Sequence, residues 1–135
     1  MITLVNARII GLEKLQQIYI NPHGIIEKIN PTLEEIGEII DIAGDWISLG
    51  GVDLQINGAL GKAFPELTEA DNFVLEDICN FLWKQGIDGF LPTLVTTSVE
   101  NIQRSLKIID KYIKQHPQTN TPTAEILGVH LEGPF

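Results

Sequence analysis

The chain has 135 residues, 44% of them hydrophobic and 20% charged, which puts it in the soluble globular range with enough apolar mass to bury the core of one domain, or of one domain and part of another. Its net charge of −9 disfavours a nucleic-acid partner: such partners need a basic stripe, and the nine Lys and Arg are scattered, although a local site can still oppose the net charge and take an anionic small substrate. No stretch approaches the length of a membrane span, the N-terminus lacks the basic and apolar regions of a secretory signal, and a single cysteine, Cys79, excludes an internal disulfide framework; a cytoplasmic protein with no membrane partner is expected, with Cys79 as a small core residue.

Residues 1–48 form a small β domain on sequence grounds. Strands are expected at Ile2–Ile10, Gln16–Ile20, Ile25–Ile29 and Glu38–Ile42, punctuated by turn signals at Gly11, Asn21-Pro22-His23-Gly24 and Gly44-Asp45. The segment around His23 joins two β-branched runs, so His23 is expected as a solvated turn residue rather than a ligand. Glu34, Glu35 and Glu38 fit a solvated face better than a cation site.

The texture changes near Trp46, and a second domain is expected over 49–135. Ile47 to Gly58 is an apolar run with polar residues at alternate positions, which puts Asp53, Gln55 and Asn57 on one face of a strand; a polar solvent face of an edge strand fits that spacing equally well. A helix follows from about Glu69 to Gln85, with Thr68 as N-cap, Gly86 as stop and a stripe of Val74, Ile78, Phe81 and Leu82. Gly89–Thr97 is a second buried strand, in which Pro92 removes a ladder donor and demands either a bulge or an early end. Ser98 caps the next helix, striped by Ile102, Leu106, Ile109 and Ile113, with Glu100–Arg104 and Asp110–Lys114 as (i, i+4) pairs. Pro117 ends that helix, leaving His116 as a surface residue at its C-terminus, and the polar loop Gln118–Thr123 leads to a buried strand at Glu125–Val129. His130 and Glu132 share a face just beyond it.

Strand, helix, strand, helix, strand implies βαβ units and a parallel sheet, though three strands are too few to close a barrel. Parallel sheets gather ligands at the carboxyl ends of their strands. Gln55 and Asn57, then Thr96 and Thr97, then His130 and Glu132 occupy those ends. Glu132 is the obvious metal ligand, yet a catalytic metal needs about three protein ligands, amides are weak ones, and His23 and His116 fall in distant turns. The chain has no Gly-rich phosphate loop, CxxC pair or serine nucleophile elbow.

Three stretches resemble the first three barrel-strand motifs of the N-acetylglucosamine-6-phosphate deacetylases, of the amidohydrolase superfamily, and in the same order: Asp53-Leu54-Gln55-Ile56-Asn57-Gly58, Phe90-Leu91-Pro92-Thr93-Leu94-Val95-Thr96-Thr97-Ser98, and Gly128-Val129-His130-Leu131-Glu132-Gly133-Pro134. Leu49-Gly50 and Ala59-Leu60 depart from the family pattern. The resemblance implies α/β architecture: the N-terminal part of a (β/α)8 TIM barrel, incomplete in this chain, preceded by a small β-sandwich-type domain. It further implies deacetylation of N-acetylglucosamine 6-phosphate to glucosamine 6-phosphate and acetate by the complete enzyme. By the same resemblance Glu132 matches the ligand of one divalent metal ion, zinc by expectation, Gln55, Asn57 and His130 line the site, and the catalytic aspartate and two histidine ligands fall beyond Phe135. The implied partners are a phosphorylated amino sugar and, for the complete enzyme, a second copy in a homodimer, while the 135 residues alone are expected to be inactive. Two alternatives stand beside this: a non-catalytic truncated fragment acting by self-association or complementation, and another cyclic amidohydrolase, against which the amides at positions 55 and 57 count.

Overall fold

The computed structural model describes residues 1–32, 34, 36–116 and 122–133, in two compact units, Met1–Leu49 and Gly50–Phe135. Glu35 of the acidic cluster, the Pro117 helix stop, residues 118–121 of the polar loop, and Pro134 and Phe135 of the terminal motif lie outside the described residues.

In the first unit, β1 (Ile2–Ile9) pairs antiparallel with β2 (Gln16–Ile20), which pairs antiparallel with β3 (Ile26–Asn30). β1 also pairs in parallel with β4 (Glu38–Asp41) and with β5 (Trp46–Ile47). The β1–β2 register slips between Leu4 and Ala7, where Asn6 takes a left-handed φ of 58°, a conformation that a short amide side chain tolerates. Asn6 Nδ2 donates to Asp41 Oδ1 at 2.8 Å; that bond, followed by the Ala43 backbone N–H, holds the Asp41 carboxyl below its ordinary value. Val5, Ala7 and Ile18 are buried with Thr3, whose hydroxyl donates to the Ile36 carbonyl and accepts from the Ile36 N–H. At the hairpin, Asn21 Oδ1 accepts from the N–H groups of His23 and Ile25 and Gly24 has φ 78°, so His23 is the exposed turn residue that its sequence context implies.

The second unit is built on β9 (Ile87–Val95), the central strand of a parallel sheet. β6 (Gly51–Ile56) pairs with one side of it; β10 (Glu125–Ile126) and β11 (His130–Glu132) pair with the other. Pro92 lies inside β9 rather than at its end, and its missing donor falls where both neighbours break register. Between the pairs Asp53↔Phe90 and Ile56↔Pro92, β6 spends one residue more than β9. On the other side, Leu127–Val129 leave the ladder between Ile126↔Phe90 and His130↔Thr93. Of the buried strand expected at Glu125–Val129 only Glu125–Ile126 is a strand, with Ile126 buried and Leu127 exposed, and pairing resumes past its expected end at His130.

Both helices depart from their expected faces. Residues Glu69–Asp71 form a 3-10 turn, and α1 runs only over Asn72–Lys84. Thr68 is not an acceptor cap: its N–H and hydroxyl donate to Asp71 Oδ2, at 2.6 and 2.7 Å, and Lys62 Nζ pairs with the same oxygen at 2.9 Å. The Thr68 hydroxyl first, then Lys62, lower the Asp71 pKa to about 2. α1 buries Leu75, Ile78, Cys79 and Leu82, while Phe81 is 39% exposed. α2 (Val99–Gln115) starts as expected, with Ser98 Oγ accepting from the Asn101 N–H, but buries Ser105, Ile108, Ile109 and Tyr112 and leaves Leu106 and Ile113 partly exposed. An apolar stripe defines a face only to about 100°, and the neighbouring layer selects which part of it is covered. Arg104 does not pair with Glu100; it donates to the carbonyls of Leu67 and Pro65 and to Asn101 Oδ1, tying α2 to the turn that follows β8 (Lys62–Ala63), the partner of β7 (Gly58–Ala59) in a hairpin. Asp110 and Lys114 do pair, at 2.7 Å. His116 stacks on Tyr112 with ring centroids 4.2 Å apart. The core of the unit joins Phe64, Phe90 and Leu94 to these helix faces, and Cys79 sits in it, where burial pushes its thiol pKa up. Among the described residues no helix is long and apolar enough to cross a membrane.

Candidate functional site at the strand ends

β6, β9 and β11 run in parallel, so their carboxyl ends lie together, and two side-chain hydrogen bonds link them. Gln55 Nε2, from β6, donates to Glu132 Oε2, from β11, at 2.8 Å, although β9 lies between the two strands. Strands are spaced about 4.8 Å apart, so the two long side chains meet above the central strand and close a polar bridge over it. The second bond joins direct register partners: Thr93 Oγ1 and His130 Nδ1 are 3.2 Å apart. His130 is half-buried, Gln55 and Glu132 are exposed, and Thr93 is fully buried.

The bulge in β6 decides which neighbours of Gln55 reach this cluster. The two-residue period breaks between Asp53 and Ile56, so the single face expected for Asp53, Gln55 and Asn57 does not persist across it. Asp53 Oδ1 instead accepts from the Gln55 backbone N–H at 3.0 Å. Asn57 lies one residue past the strand and lines a groove of about 360 Å³ with Gly58, Ala59, Gly61, Lys62 and Ala63. Of the two threonines expected at the mouth, Thr97 accepts from Asn101 Nδ2 at the start of α2. Thr96 packs on Gly133, where a β-carbon would come within 2.5 Å of its Oγ1 and where φ is 76°. Thr93 is the residue that the strand-end argument passes over. Its signal was a lone hydroxyl inside an apolar run.

Chemically, the cluster offers a carboxylate with one oxygen held by an amide, and an imidazole with Nδ1 engaged. Among the described residues no three His, Cys, Asp or Glu side chains converge as a metal-binding group. The Gln55 –NH2 facing Glu132 is a donor and cannot ligate a cation. The described residues therefore do not by themselves fit a metal ion.

A parallel α/β unit with a carboxylate and an imidazole at its strand ends falls in the class that holds small ligands at those ends. No protein-family model matches the chain. Its sequence is 35% identical over 113 residues to N-acetylglucosamine-6-phosphate deacetylase of Haemophilus influenzae, covering 82% of this chain and 28% of that protein. It is 36% identical over 97 residues to the Mus musculus protein of the same name, covering 70% of this chain and 22% of the other. The crystal structure of N-acetylglucosamine-6-phosphate deacetylase from Pasteurella multocida superposes with a TM-score of 0.71 at 27% identity, over 98% of this chain and 34% of that one. The Thermotoga maritima structure gives 0.68 at 29% identity, over 98% and 32%. The chain is a relative of the N-acetylglucosamine-6-phosphate deacetylases, a family of hydrolases, and spans about a third or less of the length of the relatives it matches.

Proposed function

We propose that this chain contributes the first strands of a TIM barrel to a polypeptide that deacetylates N-acetylglucosamine 6-phosphate, giving glucosamine 6-phosphate and acetate. The observation that carries the reading is the Gln55–Glu132 bridge, which brings two of the motif residues together from segments 77 positions apart. In this reading Glu132 is one ligand of a divalent metal ion, zinc, whose other ligands are not among the described residues. Gln55 holds one oxygen of Glu132 and would orient the carboxylate that holds the ion, which would supply an activated water and polarise the amide carbonyl. Asn57 and His130 line the space that the phosphosugar enters. The described residues hold one metal-binding carboxylate and no complete set, so the 135 residues alone are inactive on this proposal, and the active protein is a cytoplasmic homodimer.

Glu132→Gln in the complete polypeptide tests it. The exchange keeps the shape and removes the charge, so bound metal is lost and turnover falls at least about 100-fold, beyond what loss of a supporting hydrogen bond costs. Unchanged metal content and turnover would sink the assignment. A second reading, self-association of this chain, is favoured by the exposure of Val52 (55%), Leu54 (64%), Leu127 (51%) and Leu131 (51%) in the second unit. Sedimentation of the 135-residue chain decides it: a concentration-independent monomer contradicts this second reading.

A further inference from the structure

The buried Thr93 hydroxyl has one hydrogen-bond partner among the described residues, and that fact fixes a property of His130. Thr93 has 0% of its surface exposed and belongs to the central strand, and its Oγ1 lies 3.2 Å from His130 Nδ1. A threonine hydroxyl carries one donor and two acceptor lone pairs, whereas neutral imidazole carries one N–H and one lone pair. If Nδ1–H donated to Oγ1, the hydroxyl hydrogen would be left buried without an acceptor, since Thr93 Oγ1 has no other side-chain or backbone hydrogen-bond partner among the described residues. A buried donor left unmade costs more than an acceptor with a spare lone pair. The O–H therefore points to Nδ1, Nδ1 is the unprotonated nitrogen, and the ring proton sits on Nε2.

We infer that Thr93 is a positioning residue: its hydroxyl donates to His130 Nδ1 and so sets His130 to present an Nε2–H donor to an oxygen-bearing ligand, such as the hydroxyl or carbonyl oxygen of a sugar derivative. The inference rests on the reading of His130 as a site residue, and it gives that residue a definite polarity. A ring held this way has no free nitrogen lone pair, so His130 offers the site a hydrogen bond and not a metal ligand. His130 is half-buried, so part of the residue stays open to solvent while its Thr93 anchor is fully buried.

Nitrogen-15 spectra of the histidine rings in the 135-residue chain, at about pH 8.5 where imidazole is neutral, read the tautomer directly. The expected result is an Nε2-protonated His130 with a slowly exchanging Thr93 hydroxyl proton coupled to Nδ1. Thr93→Ser keeps both signals, and Thr93→Val, which preserves shape, loses the hydroxyl proton and the coupling. Where Thr93→Val does not fold, wild type against Thr93→Ser still decides. An Nδ1-protonated ring in wild type, or a hydroxyl proton exchanging as fast as a surface one, overturns the inference. No turnover enters this measurement, so a complete polypeptide that fails to deacetylate strikes the proposed function alone, and an Nδ1-protonated ring strikes this inference alone.

Discussion

The two units bury their sheets differently, and the difference accounts for where the candidate site lies. In Met1–Leu49 β1, β2 and β3 form antiparallel hairpins, β3 and β4 are exposed along their whole length, and the buried apolar set is Val5, Ala7 and Ile18. In the unit that follows, β9 is flanked by other strands and packed against α1, with Phe64, Phe90 and Leu94 fully or almost fully buried. A parallel connection returns each strand to the same end of the sheet, so polar residues far apart in sequence collect there. In the first unit the hairpins β1–β2 and β2–β3 send successive strands in opposite directions and disperse theirs, and only β4 and β5 return parallel to β1.

The contrast can be broken by mutation, most severely in the core. Phe90→Ala removes a fully buried ring lying 6.3 Å from that of Phe64 and should cost about 3–5 kcal/mol, read from the urea midpoint. Ile39→Ala, at a residue 49% exposed in the first unit, should cost no more than about 0.5 kcal/mol, and equal losses at the two positions would erase the distinction. An effect between these two comes from the helix cap. The described residues of the first unit contain no helix, so the far-ultraviolet helical signal reports the second unit, and Ser98→Ala should lower the stability it reads by about 1 kcal/mol; no change would mean that the Asn101 N–H is satisfied without the cap.

A pH-dependent effect is expected in acid. Asp71 has a folded-state pKa near 2 against an ordinary 3.8, so its contribution is present above about pH 4 and is lost as the pH falls toward 2. Asp71→Asn should therefore flatten the fall in stability between about pH 4 and 2 while leaving stability at lower pH little changed. Partial solvent access to Asp71 and Lys62 keeps the difference below that of a buried pair. A steeper fall in the variant would reverse the sign assigned to this group.

Local chemistry was readable wherever a residue acts on its near neighbours. Gly86 at φ 80° ends α1, Ser98 caps α2, and Asn21 closes its own hairpin, because each of these needs only a few adjacent positions. The alternation of β6, α1, β9 and α2 followed from hydrophobic period and turn signals, the β7–β8 hairpin did not, and the three motifs carried the likeness to the deacetylases. Helix faces were readable only to within their stripe: Phe81, Leu106 and Ile113 carry apolar side chains that the core does not cover, and Leu75 and Tyr112 are covered in their place.

The sequence by itself determined the alternation of parallel strands with two helices in the second unit, and the polar residues that stand at or near the strand ends. Only the tertiary structure decided which of them meet. A bulge in β6 and a gap between β10 and β11, both placed beside Pro92, set the register that brings Gln55 to Glu132 and Thr93 to His130, while Thr97 is taken up by α2. Register depends on pairing between distant segments, and the two-residue period of a strand does not survive one inserted residue; for that reason the same polar residues were visible in the chain and their partners were not.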